Sequence, residues 1–114
     1  MVVEFKKRQA TENIIILIKD TCCTTYENFY KKCRRLGELD AGVHFFLDAN
    51  GTIHVARHED SVAGWQYEDS DNSLYILAQS NNSKLNSCQR YVLPTLIENL
   101  KKKYKDAKVI ERIE

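Results

Sequence analysis

The chain is poor in the residues that break structure. It has one proline and four glycines in 114 residues. That leaves nothing from which to build a flexible or polyproline linker, and no low-complexity segment or internal repeat interrupts the pattern. Tryptophan occurs once, at Trp65. The apolar run near the N-terminus, Ile14 to Ile18, falls far short of the ~20 residues that cross a bilayer. It also follows charged residues and is too short for the core of a secretory leader, so no membrane or export role is expected. A surplus of one charge sign is missing too. Seventeen basic residues face sixteen acidic ones, for a net charge of +1, where a dedicated nucleic-acid binder carries a clear basic excess. The four cysteines, Cys22, Cys23, Cys33 and Cys88, lack the paired spacing of a zinc ribbon. They are expected as free thiols in a reducing, cytoplasmic setting.

What remains suffices for one folded domain over residues 1–114. At 43% hydrophobic the chain can bury a core without disulfide staples. "NIIILIK" reads as a buried strand, a continuous β-branched run with polar flanks. "TTYENFYKKCRRLGE" reads as a helix. Thr24 and Glu27 form a capping box, Tyr26, Phe29, Tyr30, Cys33 and Leu36 make an apolar stripe, and Gly37 supplies the stop. "VHFFL" and "TIHVAR" read as strands joined at Asn50-Gly51, whose residues tolerate positive φ. "NSLYILAQ" is a further strand. A second helix opens with Asn86 and Gln89 as its cap. Its apolar residues Leu85, Cys88, Val92, Leu96, Leu100 and Tyr104 repeat every three or four positions. Pro94 inside that pattern implies a kink or a late start. "KVIERI" closes as a strand. The order β-α-β-β-β-α-β predicts a layered α/β domain with a mixed sheet of about five strands flanked by helices.

These segments, in this order, resemble the zinc-dependent N-acetylmuramoyl-L-alanine amidases, the small phage lysozymes in particular. The carriers are "VEFKKRQATENIIILIKDT", "LDAGVHFFLDANGTIHVAR", "NSLYILAQ" and "LIENLKKKYKDAKVI", and together they span nearly the whole chain. The resemblance implies an amidase fold. It also implies a zinc held by two histidines and a third ligand, with the first histidine on the first strand. Leu17 stands at that position. A catalytic tyrosine usually precedes the His-Phe pair, where this chain has Val43. The remaining ligands and the late catalytic lysine or histidine would follow the last strand, beyond "VIERIE". Catalytic zinc needs three donors and an open place for water. Leucine and valine offer none, so no metal, no cofactor and no catalytic residue is expected.

A chemically silent amidase fold suggests a phage-encoded protein that docks on, and inhibits or modulates, a host enzyme in the host cytoplasm, such as a defence, toxin or polymerase enzyme. The candidate contact surface is "RHEDSVAGWQYEDSDNS". It holds Trp65, Gln66 and Tyr67 framed by Glu59, Asp60, Glu68, Asp69 and Asp71. Aromatic residues anchor interfaces, and the carboxylates suit a partner with a basic surface. Packing of Trp65 into its own loop is the plainer alternative. A second reading is a small-ligand site, for a wall fragment or a nucleotide, in a remnant groove near His44, His54 and Arg57. A third keeps an enzyme, with Cys22 or Cys23 and His44 as the only nucleophile and base on offer. The lysines from Lys101 to Lys108 point weakly to nucleic acid, since lysines suit a helix C-terminus in any case.

Overall fold

The computed structural model describes residues 8, 10–20, 25–36, 42–59, 61–64, 71–80 and 84–113. The expected order is observed: β1 (Asn13–Asp20), α1 (Tyr26–Arg35), β2 (Phe45–Leu47), β3 (Ile53–Val55), β4 (Ser73–Ser80), α2 (Ser87–Lys103) and β5 (Lys108–Ile113). The five strands form one sheet in the order β3-β2-β4-β1-β5. β4 runs parallel to β1 and β2, β5 runs parallel to β1, and only the β2–β3 hairpin is antiparallel. The central strands β1 and β4 are buried on both faces, which is why they read as unbroken apolar runs rather than alternating ones.

Alternation along each strand divides the core into two layers. Ile14, Ile16, Ile18, Phe45, Leu47, Leu74, Ile76 and Ala78 face α2, where Leu93 and Leu100 close on them. Ile15, Leu17, Phe46, Tyr75 and Leu77 face the other way and pack against Phe29 and Cys33 of α1, together with Val43 and Ala63.

Both helices are capped by their own sequence. Thr25, not Thr24, caps α1: its hydroxyl accepts the Asn28 backbone N–H at 3.1 Å. Thr24 and Gly37 lie outside the described residues. α2 carries the expected capping box, with Asn86 accepting the Gln89 N–H and the Gln89 side chain accepting the Asn86 N–H. Pro94 neither delays nor divides α2, which is continuous from Ser87 to Lys103. It lies on the exposed side of the helix, where the Arg90 carbonyl it leaves without an i+4 donor can turn to water. The stripe on α2 is shifted from the sequence pattern. Cys88 is exposed, whereas Gln89 and Leu93 are buried.

Gln89 explains the shift. It is fully buried, and its amide nitrogen donates to the Gln79 carbonyl at 2.6 Å and more weakly to the Leu47 and Asp48 carbonyls. One amide thus ties the start of α2 to the ends of β2 and β4. The hairpin tip leans on the same helix. Asn86 donates to the Ala49 carbonyl at 2.7 Å, and Gly51 (φ 84) passes so close that a Cβ there would meet the Cys88 carbonyl at 3.1 Å.

Candidate functional site

His44 precedes β2 and is fully buried. Gly42 turns the chain there with φ 78 and sends its carbonyl to the Gly64 N–H. The backbone N–H of His44 donates to the Tyr75 carbonyl, and the Tyr75 N–H returns to the His44 ring at Nδ1, 3.0 Å away. A backbone N–H can only donate, so Nδ1 carries no proton. Nε2 therefore holds it and donates to the Ser61 carbonyl at 2.7 Å. Both ring nitrogens are spent. Burial pushes the His44 pKa down to about 4. The Arg8 and Arg57 charges act in the same sense, against the Ser61 carbonyl and the Glu59 carboxylate. At neutral pH His44 is an uncharged brace between β4 and Ser61, with its one ring lone pair already accepting the Tyr75 N–H.

Arg8 closes this corner. Its guanidinium donates to the Glu59 and Ser61 carbonyls at 2.6 and 2.8 Å, lies 3.2 Å from His44 Nε2 and sits over the Tyr104 ring. The Glu59 carboxylate accepts the Tyr104 hydroxyl at 2.9 Å and pairs with Lys103 at 3.1 Å. Glu59 is thus bound to α2 rather than presented as part of an acidic rim. Arg57, placed by the sequence beside a remnant groove, is buried and donates to the Val62 carbonyl at 2.8 Å.

His54 belongs to a separate cluster. On β3 its Nε2 meets Asp48 Oδ2 at 2.9 Å, and its ring stacks on Tyr26 of α1 with centroids 5.0 Å apart. Asp48 also accepts the Asn50 and Thr52 N–H groups. Partial burial pushes its carboxyl up, but the His54 hydrogen bond and these turn amides together outweigh that and hold it below the usual range. His44 and His54 thus serve different partners and do not join in one groove. An open groove of about 300 Å³ does lie among the described residues, lined by Phe45, Val55, His58, Glu59 and Lys103. It includes none of the three residues His44, His54 and Arg57. On the acidic segment, Asp71 is exposed. Asp60, Trp65, Gln66, Tyr67, Glu68 and Asp69 fall outside the described residues, as do Cys22 and Cys23.

The position expected for the first zinc ligand, Leu17, is fully buried in the apolar layer under α1. Val43, at the expected tyrosine position, is buried in the same layer. Among the described residues no three His, Cys, Asp or Glu side chains come together as a metal site. That set of residues does not fit the three-donor zinc of the amidase pattern. Sequence reasoning missed Arg8 and Asp48, and it saw Gln89 only as a cap and not as the tie to β2 and β4. Asp48 had a signal, as an Asp opening a tight turn. Arg8 and the second role of Gln89 had none, because there the partners are backbone carbonyls far along the chain.

No protein-family model matches the sequence, and no curated protein matches it. Solved structures do share its fold. The N-acetylmuramoyl-L-alanine amidase LysC from Clostridium intestinale URNW superposes with a TM-score of 0.75 at 18% identity, over 96% of this chain and 78% of its own. Drosophila peptidoglycan recognition protein SD gives 0.76 at 14% identity, over 96% and 74%. Bumblebee PGRP-SA gives 0.76 at 17% identity, over 95% and 74%. The fold is therefore the one shared by N-acetylmuramoyl-L-alanine amidases and peptidoglycan recognition proteins.

Proposed function

We propose that this chain is a non-hydrolytic protein on the amidase fold that acts by binding another protein, as an inhibitor or modulator. One observation carries the reading. Leu17 and Val43 occupy the expected ligand and tyrosine positions as hydrocarbon, inside one apolar layer that α1 seals with Phe29 and Cys33. A leucine cannot hold zinc, and a valine cannot steady an oxyanion. His44, the histidine retained from the pattern, has both nitrogens committed to the backbone.

Two measurements on the purified protein test this. Incubated with murein sacculi and added zinc, it should release no soluble fragments. Elemental analysis should find no stoichiometric zinc. Hydrolysis that depends on zinc would overturn the reading. A small-ligand role finds support in the open groove beside Lys103 and Glu59, and calorimetry with muropeptides separates it from protein binding.

A further inference from the structure

We propose that the outer edge of β5 is a docking site for an extended segment of a different protein, added antiparallel as a sixth strand. The proposal deepens the protein-binding reading and rests on it. β5 ends the sheet, with β1 as its neighbour among the described residues. The Lys108 N–H donates to the Glu12 carbonyl. In a parallel ladder alternate residues bond to one side, so Lys108, Ile110 and Arg112 serve β1. Val109, Glu111 and Ile113 then aim their N–H and C=O groups away from the sheet. The register pairs these three with Ile14, Ile16 and Ile18, which puts their side chains on the α2 side. There Val109 and Ile113 are 45% and 64% exposed. The edge thus offers backbone groups for a ladder and two apolar seats flanking a carboxylate. β3, the opposite edge, offers only three residues.

The charges select the occupant. In an antiparallel pair, residues directly opposite share a face, and like charges there are destabilising. Two copies of β5 centred on Glu111 would set that carboxylate against itself. Centred on Ile110, they would set Lys108 against Arg112. A second copy is thereby disfavoured, as charged edges commonly arrange. A different strand fits if it places a basic residue opposite Glu111, apolar residues opposite Val109 and Ile113, and acidic residues opposite Lys108 and Arg112. Read from its N-terminus, that strand has the pattern apolar, acidic, basic, apolar, apolar, acidic. Main-chain bonds then supply affinity, and alternate side chains supply selection.

The test titrates isotope-labelled protein with the peptide Val-Glu-Lys-Val-Val-Glu, followed by backbone amide shifts up to about 1 mM, a concentration that still reveals weak binding. The amides of Val109, Glu111 and Ile113 should move first. The charge-swapped peptide Val-Lys-Glu-Val-Val-Lys should bind at least tenfold more weakly. Glu111→Pro deletes an outward N–H and no ladder bond, so it should keep the melting midpoint and lose binding. Glu111→Lys should weaken binding of Val-Glu-Lys-Val-Val-Glu, and Val-Glu-Glu-Val-Val-Glu, which changes only the residue opposite position 111, should recover it. Equal binding of both peptides, binding retained by Glu111→Pro, shifts elsewhere or no shifts at all would overturn the proposal. So would a dimer that Glu111→Pro dissolves, since the occupant would then be a second copy. None of these outcomes bears on the murein and zinc measurements, so the two readings fail separately.

Discussion

The His44 ring accepts the Tyr75 backbone N–H at Nδ1, 3.0 Å away, and donates its Nε2–H to the Ser61 carbonyl at 2.7 Å. A side chain here does the work of a main-chain ladder, and it does so only while uncharged.

The pH dependence of stability follows. His44 titrates at about 4 in the folded chain and near 6.5 when unfolded. Between those values the unfolded state binds the extra proton, so stability falls as the pH falls. The contribution is complete above pH 6.5 and is lost on the way down to about pH 4, at a cost of roughly 3 kcal/mol. Urea unfolding across that window should show the slope. His44→Gln removes the titrating group and should flatten it. An unchanged slope in that variant would assign the effect to another group.

Gln89 makes a second prediction. Replacing it with Leu keeps the volume but removes its donor from the Gln79, Leu47 and Asp48 carbonyls, of which Asp48 keeps the Gly51 N–H, and takes the acceptor from the Asn86 N–H. Buried groups left without partners cost about 1–3 kcal/mol each, partly relieved by water or relaxation. Gln89→Leu should therefore lose about 3 kcal/mol in chemical denaturation, and Gln89→Glu less at low pH, where a protonated acid can donate.

At the hairpin tip, Gly51→Ala should lose about 1–2 kcal/mol, because a side chain is strained at its positive φ. The added carbon would also meet the Cys88 carbonyl at 3.1 Å. The complementary change Cys88→Ala leaves that carbonyl in place and should not rescue it. Thermal melts of the two single variants and the double variant decide this.

The difference between what the sequence showed and what it hid follows the range of the forces. Asn86 and Gln89 announce α2 because capping is settled within four residues. β1 and β4 announce themselves because burial on both faces demands an unbroken apolar run. β2 and β3 are three residues each, shorter than "VHFFL" and "TIHVAR" suggested. His44 and Arg57, at the hidden ends of those segments, spend their bonds on residues 61, 62 and 75 instead. Nothing in the sequence marks Arg57 for burial, because it donates to a carbonyl, and carbonyls carry no sequence signal. Leu17 and Val43 read as hydrocarbon at the positions where the amidase resemblance expects donors, and both are buried. The separation of His44 from His54 was not legible, since it depends on which loop each ring meets.

Leu17 offers the most direct test of the donor deficit. Leu17→His restores an imidazole at the first-ligand position of the amidase pattern. It also buries a polar ring among Ile15, Phe29, Phe46 and Tyr75, which should cost about 2–4 kcal/mol. A single added donor falls short of the three that zinc requires. Zinc should therefore leave the urea midpoint of Leu17→His where it was. Any metal held by the folded state alone would raise that midpoint, by an amount that grows with the logarithm of its concentration over its dissociation constant. A marked zinc-dependent rise would mean that two further donors converge near Leu17 in solution, and the chain would then be one substitution away from a metal site.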